Sequence, residues 1–149
     1  MSLDDDVALL KDIPLFAGFD GPALKLLAFT SRKLTYADGE DIFRQGDAPD
    51  CAYVIVSGHA DIVVETGDGP LTIARADANE LVGEIAILSD VPRTATVRAS
   101  GDLVVLQIEK EDFLNMIDTS PRVARAVMRV LATRLHRTTK QLRDARSGG

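Results

Sequence analysis

Cysteine is nearly missing from this chain. Cys51 stands alone, which excludes an internal disulfide and any multi-cysteine metal or iron–sulfur site. We expect it to be an ordinary buried strand residue. Histidine is as scarce: His59 falls in a strand turn and His136 in the last helix. A roll-shaped metalloenzyme needs clustered histidine and carboxylate ligands, and two distant histidines do not supply them. Long apolar runs are also lacking. The longest, C-A-Y-V-I-V at 51–56, is far too short to span a bilayer. Positive charge is absent from the start, M-S-L-D-D-D, where a secretory signal needs it, so a cytoplasmic protein is expected. There is no linker, repeat or low-complexity segment except the final S-G-G.

What is present is the composition of a soluble globular protein, with 46% hydrophobic and 27% charged residues. A length of 149 residues suits one domain with a substantial core. The net charge of −6 argues against a general nucleic-acid binder. Its distribution is uneven. Residues 1–121 hold nine basic and 22 acidic residues, whereas from Arg122 onward eight Lys/Arg face only Asp144. A basic helix beside an acidic body points to intramolecular or subunit contacts rather than DNA.

Residues 3–30 read as helix in two pieces, broken at Pro14 and Gly18, with Asp20 and Pro22 as N-cap and first-turn proline of the second. From 31 to 109 the pattern becomes short strands: S-R-K-L-T-Y, D-I-F-R-Q, A-Y-V-I-V-S, A-D-I-V-V-E, L-T-I-A-R, A-T-V-R-A and L-V-V-L-Q-I. The turns D-G, Q-G-D, S-G-H, G-D-G and S-G-D divide them. Many short strands with glycine turns suggest a sandwich, barrel or roll. Helix returns over 110–145, with E-D-F-L-N-M-I and a long stretch after Pro121. The expected fold is mainly β with flanking helices: a jelly-roll-like β-roll, or double-stranded β-helix, between N-terminal helices and a long C-terminal helix.

One segment interrupts the strands. Gly83–Leu88, G-E-I-A-I-L, reads as one or two helical turns entered through a glycine. Unpartnered N–H groups and the helix dipole favour an anion there, and Ala86 is small enough to let one approach. Ten residues after Gly83, Pro92 ends the loop and Arg93 is expected to enter the next strand on the apolar side, with Ala95, Val97 and Ala99. A guanidinium facing a core is costly unless an anion meets it. Either Glu84 and Arg93 neutralise each other, or a polar ligand sits between them.

The run G-E-I-A-I-L-S-D-V-P-R-T-A-T-V resembles, without a gap from Gly83 to Val97, the phosphate-binding cassette of cyclic nucleotide-binding domains. These occur in catabolite-activator regulators, in regulatory subunits of cyclic-nucleotide-dependent kinases and in gated channels. Gly39, the Gly46-Asp47 turn, Tyr53 before Gly58 and the E-D-F-L-N-M-I helix agree, so the resemblance covers roughly residues 10–142. It implies that Glu84 accepts a hydrogen bond from the ribose 2′-OH, the only free hydroxyl on a 3′,5′-cyclic ribose. Backbone amides near Gly83, Ile85 and Ala86 would hold the phosphate, Arg93 would match its exocyclic oxygens, and Thr94 would offer a hydroxyl. Ile62 and Ala74 fall where the family lines its base pocket, and Val82 and Ala95 are further candidate ligand-binding residues. Asn79 stands where the family usually has glycine, and asparagine tolerates the left-handed turn. Val82 replaces a commoner aromatic.

In the last helix, Val123, Val127 and Val130 suit packing on the roll, while Ala124, Met128, Leu131, Leu135, Thr138 and Leu142 follow a coiled-coil-like seam. The seam fits a homodimer through paired helices; one broad buried face in a monomer would fit as well. The T-R-L-H-R-T-T run resembles the family's lid over the base, which makes Arg134, Thr138 and Thr139 candidate purine contacts. The expectation is a non-catalytic sensor for cAMP, less so cGMP, with no resident cofactor or metal, that converts ligand binding into helix movement toward an unknown effector. The chain ends about seven residues after Leu142, so no DNA-reading module is expected within it. The rival is a scaffold with a vestigial nucleotide pocket.

Overall fold

The computed structural model describes residues 7, 8, 10–13, 16 and 19–148, with the backbone alone for Arg134 and residues 137–148. Helix α1 spans Gly21–Thr30; the Asp20 carboxylate accepts from the Ala23 N–H at 2.9 Å and Pro22 lies in the first turn, as the sequence indicates. Six antiparallel strands follow: β1 Arg32–Tyr36, β2 Asp41–Phe43, β3 Cys51–Thr66, β4 Gly69–Ala76, β5 Leu81–Val82 and β6 Thr96–Glu109. Between β5 and β6 lies the short helix α2, Glu84–Ser89; α3, Lys110–Thr119, and α4, Pro121–Gly148, close the chain. The sheet runs β1-β6-β3-β4, with β2 on β6 and β5 on β3. This is a mainly antiparallel β-roll with flanking helices.

Two expected chain reversals are not there. The S-G-H and S-G-D segments lie inside β3 and β6, which pair from Cys51↔Glu109 to Val63↔Thr96. Gly58 and Gly101 keep positive φ, at 92° and 79°, and the register slips at Ser57/His59. They bend long strands instead of ending short ones. A Cβ on Gly58 would lie 2.3 Å from the Asp102 carbonyl oxygen, so only glycine admits the close crossing there. The expected strand pairs 52–57 with 60–65, and 95–99 with 103–108, are therefore single elements. Leu81–Val82 is a strand the pattern reading did not include.

Both faces of β3 are covered. Ala52 and Val54 join a core with Leu24, Leu27, Phe113, Val123 and Val127 from the helices. Cys51, Tyr53 and Ile55 point the other way, into the roll, with Val97, Ala99, Leu103 and Val105. Strand periodicity sends alternate residues to opposite cores, which is why C-A-Y-V-I reads as one unbroken apolar run.

Candidate functional site

The site is assembled by the short β5 strand. Val82 pairs with Tyr53 and Leu81 with Val54, so the chain leaves the sheet at a fixed point. The preceding turn is held to β3 by the Asn79 N–H on the Ile55 carbonyl and the Ile55 N–H on the Glu80 carbonyl, at 2.7 and 2.9 Å. Asn79 takes φ 73°, the left-handed conformation expected of it. Gly83 then adopts φ 83° and caps α2. A Cβ on it would come within 2.7 Å of Arg93 Nη1 and 3.2 Å of Phe43 Cε2, so glycine is required for conformation and for space.

Arg93 does not lie in the strand as expected; β6 begins at Thr96. Its backbone is held instead by the Gly46-Asp47 turn. The Arg93 N–H donates to the Asp47 carbonyl and its own carbonyl accepts from Gly46, both at 2.8 Å. The side chain is buried all the same, only 1% exposed. Nη1 donates to the Gly83 carbonyl at 2.7 Å and Nη2 to the Cys51 carbonyl. The exposed Asp50 carboxylate is 3.5 Å from Nη2, and the guanidinium carbon stands 4.0 Å over the Phe43 ring. Nε is a buried donor with no hydrogen-bond partner in the structure. Such a donor costs free energy unless an acceptor reaches it. Glu84 is buried too, 1% exposed, in the first turn of α2, where the helix dipole favours its negative charge.

These groups open on a cavity of about 670 Å³, of the size that small-molecule sites occupy. Every sequence-predicted residue whose side chain is described lines it: Ile62, Ala74, Val82, Gly83, Glu84, Ile85, Ala86, Arg93, Thr94 and Ala95. Arg134, Thr138 and Thr139 lie outside the residues with described side chains. Phe43, Leu71, Ile73, Arg75 and Glu80 also line the cavity and were missed. The β3–β4 register slips between Ile62/Ala74 and Val63/Thr72, so Ile73 has no partner and the β4 alternation is reset there. Strand parity alone could not have found it. A second cavity, about 720 Å³ between α1, α3 and the start of α4, holds no predicted site residue.

Helix α2 faces two ways. Glu84 and Ala86 line the cavity, while Ile87 is buried in the helical core with Phe113, Val123 and Val127. Leu88 is 38% exposed; it lies in the last turn of α2, just before the left-handed cap at Asp90. Cys51 is a buried strand residue whose thiol burial pushes up, as an inert cysteine would be. Among the described residues no group of His, Cys, Asp and Glu could hold a metal ion, and no helix is long and apolar enough to cross a membrane.

A roll with a buried glycine–carboxylate turn facing a buried arginine defines a class of ligand-binding domain, and comparison with known proteins gives that class a family. The family model of the cyclic nucleotide-binding domain matches residues 33–120. The chain belongs to the cyclic nucleotide-binding domain family. It is 33% identical over 135 residues to a cyclic AMP receptor protein of Thermus thermophilus, covering 89% of this chain and 62% of that one. A cAMP-dependent protein kinase regulatory subunit of Blastocladiella emersonii is 32% identical over 111 residues, 74% of this chain and 28% of that one. The chain thus spans less than two thirds of either relative. The regulatory domain of Toxoplasma gondii PKA, crystallised with cAMP, superposes with a TM-score of 0.74 at 25% identity, covering 91% of this chain and 50% of that one.

Proposed function

We propose that this chain is a non-catalytic sensor of a 3′,5′-cyclic purine nucleotide, cAMP ahead of cGMP. The observation that carries the reading is the Arg93 side chain, buried at the wall of an apolar cavity with its Nε–H still lacking an acceptor. An anionic phosphate supplies one. In this reading Glu84 accepts from the ribose 2′-OH, and the amides of Gly83, Ile85 and Ala86 lie along the phosphate. Ile62, Ala74, Val82 and Ala95 pack the sugar and base. Thr94 adds a hydroxyl, and Arg134, Thr138 and Thr139 close over the purine. Ligand contacts favour one position of α4, and that position is the output. Met128 and Leu135, exposed at 59% and 69% on α4, are the seam of a proposed homodimer. The effector is a further domain or a separate protein, the setting is cytoplasmic, and direct nucleic-acid contact is no part of this reading.

A scaffold with a vestigial pocket is the second reading. It is favoured by one observation: Nη1 and Nη2 of Arg93 already donate to the Gly83 and Cys51 carbonyls with no nucleotide needed. Calorimetric titration with cAMP and cGMP separates the two. Saturable binding of cAMP, tighter than cGMP, is expected. Absence of heat and of competition for either nucleotide overturns the sensor and leaves the scaffold.

A further inference from the structure

Phe43 was not singled out by any motif, yet three contacts converge on it. It ends β2 opposite Val97. Its ring face lies 4.0 Å from the Arg93 guanidinium carbon. Its Cε2 lies where a Cβ on Gly83 would crowd it at 3.2 Å. The ring also stacks on Tyr53, with centroids 5.8 Å apart and planes 30° from parallel. Tyr53 is 4% exposed and takes a hydrogen bond from Gln107 at its hydroxyl, so the stack is backed by the roll core.

The consequence for Arg93 follows from the shape of a guanidinium. All five of its N–H donors lie in one plane, so fixing that plane decides which acceptors it can serve. The Gly83 and Cys51 carbonyls take Nη1 and Nη2 at the far end. Two bonds at one end oppose roll about the side-chain axis but leave the plane able to swing about the line that joins Nη1 and Nη2. An aromatic face beneath it removes that freedom and stabilises a charge that is itself buried. We propose that Phe43 is a positioning residue for Arg93, its ring holding the guanidinium plane in place at the wall of the cavity both residues line.

The test has two arms, and only the second rests on the nucleotide reading. In the ligand-free protein, NMR relaxation of the Arg93 Nε–Hε pair should report a rigid group in the wild type and in Phe43→Tyr, which keeps the ring. Phe43→Leu, or Phe43→Met if the leucine variant does not fold, should release it and remove the ring-current shift of Hε. In the second arm, Phe43→Leu should weaken cAMP binding about five- to thirtyfold, the range of a desolvated cation–ring contact. Phe43→Tyr should restore it. In an Arg93→Lys background, which keeps charge but has no plane to hold, the same Phe43 change should cost less than about twofold, within the scatter of independent sites. Equal rigidity of Arg93 in all variants overturns the proposal, as does a Phe43→Leu loss that persists in full in the Arg93→Lys background. If the wild type binds no cyclic nucleotide the sensor reading falls, and the first arm still decides the role of Phe43.

Discussion

The two cores that meet back to back across β3 are built differently. The helical core joins Ala52, Val54, Leu106 and Ile108 to side chains from α1, α3 and α4, and its largest members are aliphatic or phenyl. The roll core joins Cys51, Tyr53, Ile55, Val97 and Ala99 with almost no helical contribution, and it borders the polar pair Glu84 and Arg93. One is a packing core and the other backs the cavity. Helix α2 has residues in both environments, Ile87 on the helical side and Ala86 on the cavity side. Helix α2, six residues long, thus belongs to both environments at once.

The largest effect expected from breaking this division is Phe113→Ala. Phe113 is fully buried among the helices and is not part of the cavity lining. Its removal should cost about 3–5 kcal/mol in a urea titration. Nucleotide affinity of the remaining folded protein should fall much less than the stability does, since Phe113 lines no part of the cavity and meets it only through α2, whose Ile87 shares its core. An affinity loss as large as the stability loss would mean the two cores act as one.

Arg93→Ala is the opposite experiment. It removes a charge-assisted contact, about 1.5–3 kcal/mol or roughly 10- to 150-fold in cyclic-nucleotide affinity, with the fold retained by circular dichroism. Unchanged affinity in a folded variant removes Arg93 from phosphate recognition. Glu84→Gln sharpens the same side. It should weaken cAMP while barely affecting the 2′-deoxy analogue, because the lost acceptor serves only the 2′-OH. Strong coupling between mutation and analogue is expected, and additive losses would place Glu84 in another role.

How much of this was legible depended on whether the signal was local. Asp20, Pro22 and Asn79 act within a few residues of themselves, and each does in the structure what its side chain favours. The cassette from Gly83 to Ala95 is contiguous, so its cavity lining could be read in order. Gly58 and Gly101 could not be read correctly, because a glycine that bends a paired strand and one that reverses the chain leave the same mark. Only the partner strand, with the Asp102 carbonyl against Gly58, tells them apart. Arg93 was expected to enter a strand, but its backbone is paired with residues 46 and 47, far away in sequence. Phe43 was hidden for the same reason: its partners Tyr53, Gly83 and Arg93 come from three separate segments.

The smallest expected effect belongs to a third region, where the surface of the roll carries charge instead of a core. Asp41 on β2 stands opposite Arg98 on β6, which alternates with the inward-facing Val97 and Ala99. Its carboxylate accepts from Arg98 Nε at 2.8 Å and from Arg44 Nε at 3.1 Å. Burial raises the Asp41 carboxyl, but the hydrogen bonds and charges of Arg98 and Arg44 outweigh it and hold the group below its ordinary value. A carboxylate lowered by folding adds stability above its unfolded value, about 3.9, and loses it as pH falls through the folded value. Asp41→Asn should thus cost under about 1 kcal/mol at neutral pH, because Arg98 and Arg44 are solvent-exposed partners. The gap should close in acid and shrink with added salt, and cyclic-nucleotide affinity should not move. A gap that stays constant in urea titrations from neutral pH down into strong acid would assign the Asp41 contribution to packing, and the roll surface would then belong with the helical core as a structural region.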